Sequence, residues 1–137
     1  MPTIKGGCVL INRNDKKVAL IYRPKLNDYS FPKGHMEEGE TVIDCAIRET
    51  IEETGRSVKL LKDEVLYHNI YTTPKGEDVD AVFYLAEDLG EYDGYIAEKD
   101  KEICEWFDVD KVESVLSYGN LIEMWNSVKP VVETYLK

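Results

Sequence analysis

Residues 31–56 read FPKGHMEEGETVIDCAIRETIEETGR, and the second half of that stretch carries the marks of a helix with defined ends. Thr41 stands in N-cap position with Asp44 three residues on, a capping-box variant, and Gly55 suits the left-handed residue that stops a helix. A helix over Thr41–Thr54 puts Val42, Cys45 and Ala46 on one face; Glu49 and Glu53 continue that face, and Glu52 lies beside them. Ile43, Ile47, Thr50 and Thr54 form a second, mainly apolar strip, so the helix is expected to be held on two sides. Arg48 lies on the more polar side, four residues after Asp44 and four before Glu52, and can bond either carboxylate.

Three carboxylates at such spacing repel one another, and the helix C-terminus disfavours anions. A sequence selected for helix stability alone would place Lys or Arg there. A solvated acidic surface is one reading; a site for a hard cation is the other. Mg²⁺ takes oxygen ligands and is completed by water and substrate phosphates, whereas a structural zinc site would need Cys or His. The preceding loop decides between them. Gly34 permits a sharp bend and close backbone approach, and Lys33 offers a cation to a phosphate just before the helix begins.

The run Gly34, Glu40, Arg48-Glu49, Glu52-Glu53 and Gly55 resembles the signature box of the Nudix hydrolases, which cleave nucleoside diphosphates linked to another group. Thr50 and Arg56 depart from the box, standing where the family usually has aliphatic residues. The resemblance implies an α+β fold of the Nudix type, an α/β/α sandwich with a mixed β-sheet packed between helices. It implies that Glu49, Glu52 and Glu53, with the backbone carbonyl of Gly34, hold Mg²⁺, with Mn²⁺ able to substitute. It also implies that Glu52 or Glu53 helps to deprotonate water, that Arg48 orients a glutamate, and that Glu40 supports the box itself. A distal acid completes catalysis in many relatives; Glu102 is favoured here over Glu98 and Asp100.

The Phe-Pro-Lys-Gly-His lead is similar to the asymmetrical dinucleoside tetraphosphate hydrolase branch. That likeness assigns substrate contacts to Lys33 and Tyr84, with His35 and Arg23 as further candidates, while Tyr29 stands where relatives often carry Trp. The expected activity is hydrolysis of a phosphoanhydride in a nucleoside polyphosphate, foremost a dinucleoside tetraphosphate. The alternatives are an oxidised nucleoside triphosphate, a nucleotide sugar, or a module that senses a nucleotide without cleaving it. No Walker A, HExxH or GxSxG motif offers a competing mechanism.

The rest of the chain agrees. With 137 residues, 43% hydrophobic and 32% charged, it suits a single domain over 1–137 with its own core. A net charge of −10 disfavours nucleic acid and anionic membranes as partners, so an anionic small-molecule nucleotide needs a bridging cation. Cys8, Cys45 and Cys104 are isolated, the pattern of buried thiols in a reducing cytoplasm. The sequence leaves the oligomeric state open.

Strands are expected at Ile4–Asn12, Lys17–Tyr22, Lys59–Leu61, Val65–Thr72, Val79–Ala86 and Ile103–Val109, with a loop from Arg23 to Gly39. Asp110 and Asn120 read as caps of two further helices, and Pro130 as a kink or restart in the second. His68 reads as a structural strand residue, and the stripe Leu121, Met124, Trp125 and Val128 as core.

Overall fold

Strand β1 (Thr3–Asn12) runs parallel to β7 (Asp78–Glu91), from Thr3 opposite Val79 to Ile11 opposite Glu87. Parallel neighbours need a crossover, and the chain between them supplies it with a helix. The computed structural model describes residues 1–95 and 102–137. In chain order the elements between and after are β2 (Lys17–Arg23), β3 (Asp28–Ser30), β4 (Lys33–His35), α1 (Val42–Thr54), β5 (Arg56–Leu60), β6 (Tyr67–Thr72), β8 (Ile103–Asp108), α2 (Val109–Val115) and α3 (Gly119–Leu136).

The sheet is mixed. β5 and β6 both pair antiparallel with β7, and β8 pairs with β2. On its other side β1 changes partner along its length. β2 pairs at Ile11 and Asn12, whereas β4 pairs at Lys5, Gly6 and Gly7. The sheet therefore parts between β2 and β4, and a cavity opens at the split.

Alternation along β1 and β7 builds two cores. Val9, Ile11, Phe83 and Leu85 face α2 and α3, where Val112, Leu121, Met124, Trp125 and Val128 are buried. Cys8, Leu10, Tyr84 and Ala86 face α1 at Ala46. Helices thus cover both faces, which is the expected α/β/α sandwich, and the Met124–Trp125 stripe is core.

Several expectations shift. The stretch Arg23–Gly39 contains β3 and β4, each three residues long and stabilised by pairing with β2 and β1 rather than by any local pattern. α2 starts after Asp108, which makes no side-chain cap bond, and Asp110 lies in its first turn. α3 starts after Tyr118, so Asn120 is helical instead of capping. Pro130 does not restart that helix; α3 runs through it to Leu136.

Candidate active site

α1 is set by its own ends. Thr41 Oγ1 accepts the Asp44 N–H at 3.1 Å, the Asp44 carboxylate accepts the Thr41 N–H at 3.4 Å, and Gly55, at φ 71°, donates to the Ile51 carbonyl at 2.8 Å. The helix lies very close to β1. A Cβ on Gly6 would come within 2.8 Å of the Ala46 nitrogen and 2.9 Å of the Val42 carbonyl oxygen. With its first turns seated there, the following turns bring Glu49 and Glu53 against β4. Glu53 Oε1 accepts the Lys33 N–H at 3.1 Å, and the Cys45 thiol donates to the Gly34 carbonyl at 3.4 Å.

Arg48 organises the acids. Its Nε and Nη2 fork onto the Glu40 carboxylate at 2.6 and 2.9 Å. Nη1 reaches both Glu49 and Glu52 at 3.0 Å, and Nη2 also bonds the His35 carbonyl at 2.9 Å. Of the two partners expected for Arg48, Glu52 is bonded, while Asp44 is engaged in the cap. The guanidinium holds Glu40 well below the usual carboxylate range. Burial pushes Glu49 up despite Arg48. Burial likewise pushes Glu53 up, and the nearby charges of Glu102 and Glu49 add to it.

Glu49, Glu53 and Glu102 stand between two cavities. The inner one, about 290 Å³, lies in the split of the sheet and carries Lys5, Arg23 and Lys33 on its walls together with Gly34 and His35. The outer one, about 760 Å³, is bounded by Ile47, Ile51, Tyr92 and Tyr95 beside Glu52. Lys33 is lowered by burial first and by the Lys5 charge second, with Glu53 opposing. Cations and acids thus share one cavity.

The structure brings together Gly34, Lys33, His35, Arg23, Glu49, Glu53 and Glu102, with Arg48 and Glu52 at the rim. Glu98 and Asp100 lie outside the described residues. Tyr84 stands apart: it is 5% exposed, packed under α1 with Cys8 and Leu10, and lines neither cavity. Tyr29 turns its hydroxyl to Glu105 and its ring edge-on to Phe107. His68 bonds Asp80 on an exposed strand face. Lys5 is the cavity cation that sequence reading missed; its signal is a lone charge in the apolar run from Ile4 to Ile11.

The donor set suits a hard divalent cation, being all oxygen. Among the described residues no three acidic, His or Cys side chains converge into a preassembled metal site. Arg48 holds Glu49 and Glu52, and Cys45 bonds the Gly34 carbonyl, so the donors are adjacent but engaged.

Residues 2–133 match the family described as the NUDIX domain. The chain belongs to that family. Its NUDIX fold superposes on the crystal structure of a C. elegans Ap4A hydrolase binary complex with a TM-score of 0.77, covering 96% of this chain and 98% of that one. At 20% identity that likeness is one of fold. The NUDIX domain is 48% identical over 44 residues to an 8-oxo-(d)GTP phosphatase of Mycolicibacterium smegmatis, covering 32% of this chain and 14% of the relative. It is 26% identical over 117 residues to the m7GpppN-mRNA hydrolase of Saccharomyces cerevisiae, covering 84% of this chain and 12% of that protein. The matched stretches therefore cover only 14% and 12% of the length of these curated relatives. No described helix is long and apolar enough to cross a membrane.

Proposed function

We propose that this chain, a single NUDIX domain over 1–137, is a divalent-cation-dependent hydrolase of phosphoanhydride bonds in nucleoside polyphosphates, with a dinucleoside tetraphosphate as its substrate. One observation carries the reading: Lys5, Arg23 and Lys33 line one cavity together with Glu49, Glu53 and Glu102. Carboxylates alone would repel a polyphosphate, and cations alone would bind it without activating water. Side by side they suit an anion that is gripped at one end and cleaved at the other.

Glu49, Glu52, Glu53 and the Gly34 carbonyl would hold Mg²⁺, and Mn²⁺ suits the same donors. The bound cation would supply charge against phosphate oxygens and acidity to water. The chain's own residues do the rest. Arg48 keeps Glu49 and Glu52 in place through its fork on Glu40. Glu53, which burial biases towards a bound proton, suits the role of proton acceptor from water once counter-charge is present, with Glu102 beside it. Lys33, Lys5 and Arg23 bind phosphates away from the scissile bond, and His35 lies at the same wall.

A nucleoside triphosphate is the second reading, favoured by the 48% identity over 44 residues to an 8-oxo-(d)GTP phosphatase. Initial rates with Mg²⁺ on diadenosine tetraphosphate, 8-oxo-dGTP and a nucleotide sugar, with the products resolved by chromatography, separate the two. A highest kcat/KM on the tetraphosphate supports the first reading. Preference for 8-oxo-dGTP transfers the assignment, and inactivity on all three with retained nucleotide binding would make this a sensing domain.

A further inference from the structure

Arg23 closes β2 and faces Asp28 across the β2–β3 hairpin. Asp28 is only 2% exposed, yet both its carboxylate oxygens are bonded. Oδ1 accepts from Arg23 Nε at 2.8 Å, Oδ2 accepts from Arg23 Nη2 at 2.5 Å, and Oδ2 also accepts the Tyr118 hydroxyl. A buried carboxylate is costly unless its charge and lone pairs are met, and here two side chains meet them. The fork uses Nε and Nη2 and fixes the guanidinium plane.

Tyr118 comes from a distant part of the chain, at the start of α3. Its segment is tied to β3, because Ser117 N–H donates to the Tyr29 carbonyl at 3.4 Å and Tyr29 N–H donates to Ser117 Oγ at 2.9 Å. Arg23 lines the inner cavity, whereas neither Asp28 nor Tyr118 does. Three cations of like sign share that cavity. Without Asp28 nothing would fix the direction of the long Arg23 side chain, which two ammonium groups repel and three carboxylates attract within the same cavity. Asp28 supplies a counter-charge from behind the cavity wall, and Tyr118 fixes Asp28.

We propose that Asp28 and Tyr118 are positioning residues that hold Arg23 aimed into the inner cavity to receive a substrate phosphate, linking the start of α3 to phosphate binding. The inference rests on the phosphate-binding reading of that cavity. Calorimetric titration with a methylene-bridged, non-hydrolysable tripolyphosphate, in low-salt buffer with Mg²⁺, measures binding at the cavity without any chemistry. Tyr118→Phe keeps the ring and removes one bond to a charged group, so binding should weaken about three- to tenfold. The same change in an Arg23→Gln background should have no further effect. Melting temperatures measured alongside expose a purely structural tie, which would lower stability with affinity unchanged, or lower affinity equally in both backgrounds. Either result overturns the proposal. If the wild type binds the tripolyphosphate analogue and Tyr118→Phe binds it equally well, the positioning role alone falls. If the wild type does not bind it, the phosphate reading of the cavity falls and takes the positioning role with it.

Discussion

Gly34 lies so close against Glu49 that a Cβ on residue 34 would sit 2.1 Å from the Glu49 carboxyl carbon. Loop and helix are therefore one unit at this point, and no side chain at position 34 is compatible with Glu49 where it stands. The end of a glutamate side chain moves cheaply, so Gly34→Ala should displace the carboxylate and leave the fold in place. Turnover should fall by about a hundredfold or more, as misplacement of a reacting group by about 1 Å can cause. Melting temperature should change little. Paired measurements of kcat/KM and thermal unfolding check both halves of the expectation.

Gly7 presents the opposite case. A Cβ there would meet the Pro32 carbonyl oxygen at 2.2 Å and the Lys33 Cα at 3.0 Å, and backbone cannot step aside as a side chain can. Gly7→Ala should cost about 1–3 kcal/mol of stability through overpacking, and it should disturb the pairing of β1 with β4. Urea unfolding of the variant measures the loss; an unchanged midpoint would contradict it.

Glu53→Gln separates stability from activity. The amide oxygen can still accept the Lys33 N–H, and a buried charge opposed by Glu49 and Glu102 is removed. Lys33 loses part of its counter-charge, which trims the gain. In metal-free buffer the variant should melt at or slightly above the wild-type temperature, while turnover with Mg²⁺ drops by orders of magnitude. Near-wild-type activity would remove Glu53 from the proposed metal site.

How much of this was legible in the sequence depends on how local each cause is. The α1 caps at Thr41, Asp44 and Gly55 are bonds within a few residues, and they stand where the sequence puts them. The carboxylate face follows from the same helix and the same periodicity. β3 and β4 escaped because three-residue strands carry too little pattern of their own: β3 is fixed by its hairpin with β2, and β4 by the distant β1. Lys5 joins Lys33 only through the register of β1 on β4, and Tyr118 reaches Asp28 across 90 residues. Tyr84 alternates with Phe83 and Leu85, and the sheet face it falls on is the one under α1, away from both cavities.

Arg56, an aliphatic position in the family's box, is accounted for by a buried partner. Its Nε and Nη2 each bond Asp88 at 2.9 Å, and its guanidinium lies over the Trp106 ring, 5.9 Å from the centroid. The Asp88 side chain is 1% exposed, and it also accepts from Asn12 Nδ2 and the Gly90 N–H at 3.0 Å. Burial alone would raise Asp88, but the bonds from Arg56, Gly90 and Asn12 outweigh it and hold the carboxyl below its usual value. A depressed folded-state value stabilises the fold fully above the unfolded value, about pH 4, and the contribution is lost as pH falls through the folded one. Unfolding followed from pH 6 downward should therefore show a steeper acid loss in the wild type than in Asp88→Asn. At neutral pH the variant should be the less stable protein, because Arg56 stays partly buried without its charge partner.

Lys5 and Lys33 together test the substrate. Both line the inner cavity, but only Lys33 acts on Glu53, through its charge and its backbone N–H. Lys33→Met should therefore lower kcat on every substrate, and it should lower kcat/KM further on a dinucleoside tetraphosphate, whose extra phosphates reach the cavity. The Lys5 ammonium is turned to Tyr71, 3.5 Å from its hydroxyl. Lys5→Met should leave kcat nearly unchanged and raise KM for the tetraphosphate, since losing a contact made equally in ground and transition states affects KM alone. On a nucleotide sugar, with two phosphates, Lys5→Met should have little effect. Steady-state kinetics of both variants on both substrates at saturating Mg²⁺ decide the matter. Equal losses on the two substrates for Lys5→Met would mean that the cavity does not count phosphates, and the tetraphosphate assignment would lose its support while the hydrolase reading stood.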